Sequence, residues 1–393
     1  MGWPRVLVAG GSIGGLTAGA LLRDLGCEVD VFERSQAALE DRGAGIVVLP
    51  VTERYFTERG GEDNRVSLEL TFWTYMDREG TVLSADPDHY RFSGWSTIYR
   101  SLLEAFGPDR YHLGKEMIAF DNQRNGVTLH LADGSSVEGD LLVCADGLLS
   151  TARSILMPEA VPRYAGYVAW RGTTPEAALS DRARADLADS MIYQVLDHGH
   201  LLVYAIPDHH GRTTPPHRVI NFVWYRNYPE GGPFEDLMLD RHQVHRAGTM
   251  PPGMVREKHL TEMRSIAADV LAPTLLEVVM GCDEPLIQAV FDLESPKMAF
   301  GNVCLIGDAA IGLRPHVAAG QAKACADGWA LRDALIASDG DVTSALSAWE
   351  PGQLALGHHA LARTREMGVA SQFDGTMVPG DPTWKFGLWE PGN

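Results

Sequence analysis

The fold is decided by residues 5–33, which read RVLVAGGSIGGLTAGALLRDLGCEVDVFE. A short apolar run leads into a glycine-rich turn, the next segment has helical apolar spacing, and EVDVFE has the composition of a second strand. This order predicts a βαβ unit whose turn lies at a helix N-terminus, where free N–H groups and the helix dipole attract a pyrophosphate. The stretch therefore predicts a dinucleotide-binding unit, although a plain tight turn would also account for the glycines.

The turn departs from the usual G-x-G-x-x-G pattern, because the second glycine of that pattern is Ser12 here. Gly10 allows the tight turn, and Gly15 allows the helix to pack closely on the strand. Either the phosphates tolerate the Cβ of Ser12, or Gly11 supplies the space. Glu33 stands where such units place a carboxylate for ribose hydroxyls. The predicted cofactor contacts of this unit are Gly10, Gly11, Ser12, Ile13, Gly14, Gly15, Glu33 and Arg34.

A second segment, LLVCADGLLSTAR at residues 141–153, combines a buried strand with Asp146, Gly147, Ser150 and Arg153 in the spacing D-G-x-x-S-x-x-R. This arrangement resembles the second fingerprint of the FAD-dependent aromatic hydroxylases. The resemblance implies that Asp146 and Gly147 border FAD. The alternative is a strand, a turn and a helix that Ser150 simply caps.

A third segment, VCLIGDAA at residues 303–310, resembles the G-D fingerprint of the same family. The resemblance implies that Asp308 binds the ribityl chain of FAD and that Gly307 lets the backbone pass close to it. Two details depart from the family: Ile311 replaces a frequent histidine, and the usual G-Q-G is Ala318-Ala319-Gly320. The flavin contacts expected after the fingerprint, at the start of a helix, are Pro315, Ala318, Ala319 and Gly320.

Further matches to the family lie in the first hundred residues. They are Arg42 and Gly45 in DRGAGIVV, and Arg100 in IYRSLLEAF, an arginine that relatives place against the cofactor. Val47 is expected to touch the flavin ring. Arg42 is equally explained as a solvated charge, and Val47 as an ordinary strand position.

The resemblance narrows further along the chain. Four segments are similar to the branch of the family that hydroxylates 2,6-dihydroxypyridine, and that ring is the substrate which the likeness implies. These segments are FGPDRYH (106–112), YAGYVAWRG (164–172), RPHVAAGQAKA (314–324) and KFGL (385–388).

The three fingerprints lie far apart, so we expect an α/β fold in which a discontinuous, Rossmann-type FAD-binding domain of the GR2 type carries an inserted, sheet-based substrate domain and a C-terminal helix. Alternating runs at 201–206 and 219–225 predict strands of that sheet, and a helical stretch is predicted near 257–280. The last part is predicted to be a helix followed by a loose tail. The predicted boundaries are 1–75, 97–165 and 290–340 for the FAD domain, 76–96 and 166–289 for the substrate domain, and 341–393 for the C-terminal helix and tail.

Composition excludes several other classes of protein. Against 33 Lys and Arg stand 52 Asp and Glu, and the net charge of -19 disfavours nucleic acid and anionic membranes as partners. The five cysteines have no metal-ligand spacing, and Cys144 and Cys304 lie in apolar runs where buried small side chains are expected. No metal is expected. The absence of a long apolar run makes a membrane span unlikely on length grounds and favours the cytoplasm.

The chain has one dinucleotide fingerprint, so NADH or NADPH is expected to visit as a transient reductant while FAD stays tightly bound. In the family that the chain resembles, the reduced flavin reacts with O₂ and a flavin C4a-hydroperoxide hydroxylates a small, electron-rich ring. Such enzymes are commonly homodimers. Three alternatives stay open: a hydroxylase of another phenolic or N-heterocyclic substrate, a flavin halogenase, and a non-catalytic FAD-binding redox sensor. The W-x-W-x-I-P signature of halogenases is not evident.

The hydroxylase chemistry needs a base that removes a proton from a ring hydroxyl. His316 is the candidate, because it follows Pro315 in the loop that relatives place near the flavin and its usual pKa suits the task. A histidine that merely braces the loop is the alternative. The substrate-pocket candidates, chosen as aromatic and polar residues of the predicted sheet, are Trp170, Arg171, Tyr193, His200, Tyr204, Trp224 and Tyr225.

Overall fold

The computed structural model describes residues 2–39, 44–59 and 66–392, which form an α/β structure with two large sheets and one small sheet. The strands are β1 (Arg5–Ala9), β2 (Glu28–Glu33), β3 (Gly45–Val48), β4 (Leu68–Met76), β5 (Val82–Gly94), β6 (Tyr111–Leu113), β7 (Met117–Gln123), β8 (Gly126–Leu131), β9 (Ser136–Gly139), β10 (Leu141–Cys144), β11 (Arg163–Pro175), β12 (Ser190–Leu196), β13 (Gly199–Ile206), β14 (Val219–Asn227), β15 (Thr249–Met250), β16 (Leu286–Asp292), β17 (Ala299–Phe300) and β18 (Val303–Leu305). The helices are α1 (Ile13–Leu25), α2 (Pro50–Thr57), α3 (Trp95–Phe106), α4 (Thr151–Leu156), α5 (Asp181–Asp186), α6 (Gly232–Leu237), α7 (Glu257–Val270), α8 (Pro273–Met280), α9 (Gly320–Ala337) and α10 (Val342–Val369).

The six-stranded sheet has the order β17-β18-β10-β1-β2-β6, and all its neighbours are parallel except β17 and β18. Its three central strands begin the three segments that the sequence singled out. Because the carboxyl ends of parallel strands meet at one edge, the glycine turn, Asp146 and Asp308 lie along that edge. The Rossmann-type arrangement predicted from residues 5–33 is confirmed.

The first turn has the form that its glycines predict. Gly10 has φ +104°, which L side chains rarely adopt, and a Cβ at Gly15 would lie 1.9 Å from the carbonyl oxygen of Gly10. Helix α1 can therefore pack on β1 only because Gly15 has no side chain. Both glycines serve the roles expected of them.

The nine-stranded sheet has the order β15-β16-β11-β14-β13-β12-β4-β5-β3. The sheet curls, so that β5 near one end lies close to β13 in the middle. The rings of Phe92 on β5 and Tyr204 on β13 lie 4.5 Å apart. Strand β3 and all of β4 except Met76 fall within residues 1–75, which the sequence assigns to the FAD domain, yet they pair within this sheet. Strand pairing thus joins segments that sequence position separates, and the domain boundary at residue 75 stays a prediction.

Two other predictions need adjustment. The helical stretch near 257–280 is two helices, because Pro273 forces the residue before it out of the helical region and ends α7 early. The C-terminal tail is not loose: Phe386 and Leu388 are buried, and the hydroxyl of Tyr90 donates a 3.1 Å hydrogen bond to the carbonyl of Phe386. Apolar contacts with the curled sheet fix the tail.

Helix α10 continues into a turn of π-helix at Ala370–Asp374, which packs against β13 and β14. Cys144 and Cys304 are fully buried, as the sequence predicts, and burial raises the pKa of both thiols. Within the described ranges, none of the helices combines the length and apolar character needed to cross a bilayer.

Candidate active site

Two connected cavities lie between the sheets. The inner cavity has a volume of about 330 Å³ and the outer cavity about 630 Å³. They form one continuous cleft, because they share lining residues. The shared residues are Ser12, Ile46, Trp95, Ala145, Gly147, Arg171 and Gln288.

The outer cavity has the features of a dinucleotide site. Gly10, Glu33, Arg34 and Asp146 line it, and Ser12 lines both cavities at the N-terminus of α1, where its side chain makes no capping bond. The N-terminus of α1 therefore keeps free N–H groups for an anion. The Oδ1 atom of Asp146 is buried without a partner. An uncapped helix end and an orphaned acceptor fit the diphosphate and sugar of FAD.

The structure also answers the question posed by the irregular turn. The N–H of Gly11 donates a 2.9 Å hydrogen bond to Glu33, and a Cβ at Gly11 would lie 2.3 Å from the hydroxyl oxygen of Tyr111. Gly11 makes room for Tyr111 rather than for phosphate. Ser12 lines both cavities, so of the two alternatives it is the Cβ of Ser12 that borders the cleft. Ile13 and Gly14 line the inner cavity, whereas Gly11 and Gly15 line neither cavity.

In the second fingerprint, Ser150 caps a helix, which is the alternative to a cofactor contact, and Arg153 also has a structural role. Ser150 caps α4 by accepting a 2.9 Å bond from the N–H of Arg153. The buried guanidinium of Arg153 donates to the carbonyls of Leu148, Ala160 and Ala309. Arg153 thus ties the second fingerprint to the third.

In the third fingerprint, Asp308 points into the inner cavity. Its side chain is exposed to the cleft, and the protein around the carboxyl raises its pKa by desolvation, while the nearby Lys323 opposes the rise. Ala318 has φ +56°, so an alanine adopts here a left-handed conformation that favours glycine. Pro315, Ala318 and Gly320 line the inner cavity, whereas Ala319 is fully buried behind it.

The cofactor contacts predicted in the first hundred residues have different outcomes. Val47 lines the inner cavity, and its carbonyl accepts a 2.9 Å bond from the side chain of Gln321. Arg100 lies in neither cavity; its guanidinium instead donates to the carbonyl of His209. The structure therefore does not place Arg100 at the cleft, where the sequence predicts it, because its side chain bonds to the segment after β13. Arg42 lies outside the residues that the structure describes.

One wall of the inner cavity is a face of the nine-stranded sheet. Trp170 and Trp224, both predicted for the pocket, point the other way. Strand residues alternate between faces, and Thr174, which shares the face of Trp170, donates to Val278 on α8. The two tryptophans are buried core residues on the face opposite the cavity, and the structure does not bring them to the predicted pocket. The predicted substrate residues that do line the inner cavity are Arg171, Tyr193, His200, Tyr204 and Tyr225.

Two histidines share the inner cavity, and their ring centroids lie 5.4 Å apart. His316 is buried, its Nε2 lies 2.6 Å from the hydroxyl of Tyr167, and its Nδ1 has no partner in the protein. Nδ1 of His200 lies 2.5 Å from the hydroxyl of Ser371 in the π-helix. Burial lowers the pKa of His200 to about 3, and burial, with help from His200 and Arg314, holds the pKa of His316 well below its usual value. Both rings are therefore neutral near pH 7.

Both arginines of the inner cavity already have partners. Arg314 binds both carboxylate oxygens of Asp292, at 2.8 and 2.7 Å. Arg171 donates to the side chain of Gln288 at 3.0 Å and to the carbonyl of Gly45 at 2.6 Å. Among the described lining residues of the inner cavity, each guanidinium is thus bound by protein oxygens, while Nε of Arg171 and Nη1 of Arg314 are buried without a hydrogen-bond partner.

Several lining residues carried no usable sequence signal. Trp95, Gln288 and Gln321 line the cleft from three distant segments, and Phe386 reaches the inner cavity from the tail. KFGL did match the family, but nothing local shows that its phenylalanine reaches the pocket. Tyr167 lies within YAGYVAWRG, and only its contact with His316 gives it a role.

Comparisons with known proteins agree with this geometry. A family model described as FAD binding domain-like matches residues 164–292. The 2,6-dihydroxypyridine 3-monooxygenase of Paenarthrobacter nicotinovorans is 35% identical over 385 residues, covering 98% of this chain and 96% of that protein. The solved structure of 2,6-dihydroxypyridine-3-hydroxylase from Arthrobacter nicotinovorans has a TM-score of 0.92 and 34% identity, and the match covers 99% of this chain and 98% of that chain. The 6-hydroxynicotinate 3-monooxygenase of Pseudomonas fluorescens is 27% identical over 340 residues, covering 83% of this chain and 80% of that protein.

The likeness in sequence and in structure extends over nearly the full length of this chain. The cleft has the uncapped helix end, the glycine turn and the two carboxylates that FAD requires. The relatives named here are monooxygenases or hydroxylases, which supports an enzyme rather than a redox sensor. The chain therefore belongs to the FAD-dependent aromatic hydroxylases, and it is a flavoprotein monooxygenase.

Proposed function

We propose that this monooxygenase uses NADH and O₂ to hydroxylate 2,6-dihydroxypyridine, giving 2,3,6-trihydroxypyridine, NAD⁺ and water. The observation that carries the proposal is the inner cavity: a space of about 330 Å³ with neutral histidines, tyrosines and no unengaged cation among its described lining residues. Such a lining suits a small, uncharged ring with hydroxyl groups. The relative that is 35% identical acts on this ring.

The cofactor contacts follow from the three fingerprints. In the proposed complex Glu33 accepts hydrogen bonds from the ribose hydroxyls, and Asp308 binds the ribityl chain. The N-terminus of α9 at Gly320 faces the flavin pyrimidine edge. A Cβ at Gly320 would meet no atom within 4 Å, so the space beside this helix end is open. When bound, FAD supplies the transfer of electrons from the nicotinamide and the activation of O₂.

The protein must also take up the proton that leaves a ring hydroxyl, since deprotonation makes the ring carbon nucleophilic. We assign this role to His316. Its Nδ1 is free, and when the Tyr167 hydroxyl accepts from Nε2–H, Nδ1 carries the lone pair that accepts the proton. Burial keeps the ring neutral and its lone pair available, and the same burial lowers the basicity of the imidazole.

Water has to be excluded from the reacting ring. Val47, Leu202, Leu313 and Phe386 supply apolar surface to the inner cavity from two strands of the nine-stranded sheet, the loop before α9 and the tail. This surface supports the exclusion of water around the ring and the flavin. The described residues contain a single Rossmann-type βαβ turn, so the proposed NADH binds only transiently. The proposed functional form remains a homodimer.

The test is substrate-stimulated oxidation of NADH by the purified holoprotein. We expect 2,6-dihydroxypyridine to stimulate NADH oxidation with matching O₂ uptake and to yield a trihydroxypyridine identified by mass spectrometry. Stimulation by a different phenol or N-heterocycle, with none by 2,6-dihydroxypyridine, would replace the proposed substrate. NADPH tested in parallel decides the reductant.

A further inference from the structure

A buried ion pair lies directly behind the turn that carries Asp308. Lys323 and Asp327 are both fully buried on α9, four residues apart, with Nζ and Oδ2 separated by 2.8 Å. Burying two charges is costly, and replacing such a pair by apolar residues of similar size often leaves a protein as stable or more so. The pair therefore calls for an explanation other than stability.

The contacts of the pair give that explanation. Asp327 accepts a 2.8 Å bond from the N–H of Gly307, and Lys323 donates a 3.2 Å bond to the carbonyl of the same residue. Both backbone groups of one glycine are thus held by one ion pair. Helix α9 is 18 residues long and its backbone bonds do not depend on this pair.

Close packing of α9 and α10 also restricts the turn at Gly307. Gly307 has φ +58°, and a Cβ on it would lie 2.9 Å from the Cβ of Ala324. A Cβ at Gly357 on α10 would lie 3.2 Å from Cε of Lys323, so α10 covers the lysine stem closely. The turn therefore lies flat against α9, and the next residue, Asp308, points into the inner cavity.

We propose that Lys323 and Asp327 act as positioning residues, a clamp that holds Gly307 so that the Asp308 carboxylate meets FAD and sets the affinity for the cofactor. The proposal rests on the proposed role of Asp308 in holding FAD. The clamp touches neither substrate nor flavin itself. It uses the pairing of charges to fix one backbone unit, which an apolar pair could not do because it has no donor or acceptor.

The main test is the double variant Lys323→Met with Asp327→Leu, which keeps approximate side-chain volume and removes both charges together. We measure FAD release on dilution of the holoprotein by the recovery of flavin fluorescence, and unfolding of the full chain by urea. A misplaced carboxylate should weaken FAD binding about tenfold to a hundredfold. Unfolding of the FAD-free form should change little, since two buried charges are removed as a pair.

The matched control removes another buried ion pair that lines neither cavity, Arg218 with Glu176, by Arg218→Met with Glu176→Leu. FAD affinity should stay unchanged in this control. An equal loss of FAD in both double variants, or FAD affinity within about twofold of the parent in the Lys323/Asp327 variant, overturns the clamp. If that variant does not fold, the isosteric Asp327→Asn decides by the same FAD measurement.

The role of Asp308 is tested separately by Asp308→Ala. If Asp308→Ala retains FAD at full stoichiometry, the proposed placement of the cofactor fails, whatever the clamp variants do. If Asp308→Ala loses FAD while the double variant keeps it, only the clamp fails. The expected pattern is loss of FAD in both.

Discussion

The hydroxyl of Tyr167 lies 2.6 Å from Nε2 of His316, which lines the inner cavity, and both residues are buried. They meet opposite Gly368 on α10, where a Cβ would lie 2.7 Å from the hydroxyl and 3.1 Å from the imidazole nitrogen. Three segments, β11, the loop before α9, and α10, thus converge on one hydrogen bond. The orientation of the proposed base depends on that convergence.

Replacing Tyr167 by phenylalanine removes this bond and leaves the ring volume nearly unchanged. We expect kcat to fall at least about tenfold, the lower end of what a misplaced general base costs. KM and FAD content should change much less, because Tyr167 touches neither the flavin fingerprints nor the open part of the cavity. Steady-state kinetics of NADH oxidation measure the effect.

Tyr164→Phe is the matched control for that change. Tyr164 lies on the same strand, its hydroxyl donates to the carbonyl of Tyr228, and it does not line the inner cavity. Its loss should leave kcat unchanged. An unaltered kcat in Tyr167→Phe would show that His316 does not depend on the tyrosine.

Stability should fall in mild acid because His200 and His316 are held neutral. Their pKa values are lowered in the folded protein and return to about 6.5 on unfolding. The unfolded chain therefore binds protons that the folded chain does not bind. The stabilisation is complete above pH 6.5 and is lost as pH falls towards the folded values. Each histidine should remove about 2 kcal/mol from the free energy of unfolding between pH 7 and pH 5.

Urea unfolding at the two pH values tests this, with a variant carrying His200→Asn and His316→Gln for comparison. Other groups titrate in both proteins, so the difference between their pH dependences isolates the two histidines. Parallel pH dependences would mean that the imidazoles are not held neutral by the fold.

The inner cavity should discriminate against a carboxylate on the substrate. Arg314 and Arg171 already bind protein oxygens, and a buried carboxylate without a cation is costly. We expect 2,6-dihydroxypyridine-4-carboxylate to have a kcat/KM at least about tenfold below that of 2,6-dihydroxypyridine. The uncharged 4-methyl analogue controls for size and should be used better than the acid. Equal use of acid and methyl analogue would contradict the charge argument.

Substitution of Ala318 and of Ala319 by glycine should change the free energy of unfolding in opposite directions. Ala318 has φ +56°, where an L residue is strained, so Ala318→Gly should raise the free energy of unfolding by about 0.5–1 kcal/mol. Ala319 has φ −104° and is fully buried, so Ala319→Gly should lower it by about 1 kcal/mol. Urea unfolding of the two variants compares them. Destabilisation by both would remove backbone strain as the explanation at Ala318.

The sequence predicts the cofactor half of the structure best, because its signals are local. The predicted strand 28–33 ends at Glu33 as the structure has it, and Gly10 and Gly15 are required by contacts within their own turn. These roles follow from backbone geometry over a few residues. A chain that carries the right glycines has few other ways to form a βαβ unit.

The substrate half is predicted less well, because both faces of its sheet are buried. Trp170 and Arg171 are neighbours on one strand, so they cannot face the same cavity, and the alternation alone does not say which of them does. The same holds for Trp224 and Tyr225. Buried residues on both faces remove the polar pattern that marks the outer side of most antiparallel sheets.

The remaining misses are contacts across long separations. His200 meets Ser371 across 171 positions, and no local pattern points from one to the other. The π-helix that presents Ser371 follows a long regular helix without a break in apolar spacing. Such contacts depend on how the tail folds back, which only the assembled structure defines.

Phe386 lies near the end of the chain, so it is synthesised after the other residues that line the inner cavity. Synthesis proceeds from the N-terminus, so every strand of both large sheets has been translated before Phe386. A nascent chain can thus hold the complete dinucleotide edge while one wall of the inner cavity is still missing. The order of the chain thus places every strand of the cofactor edge ahead of the last residue that closes the substrate space.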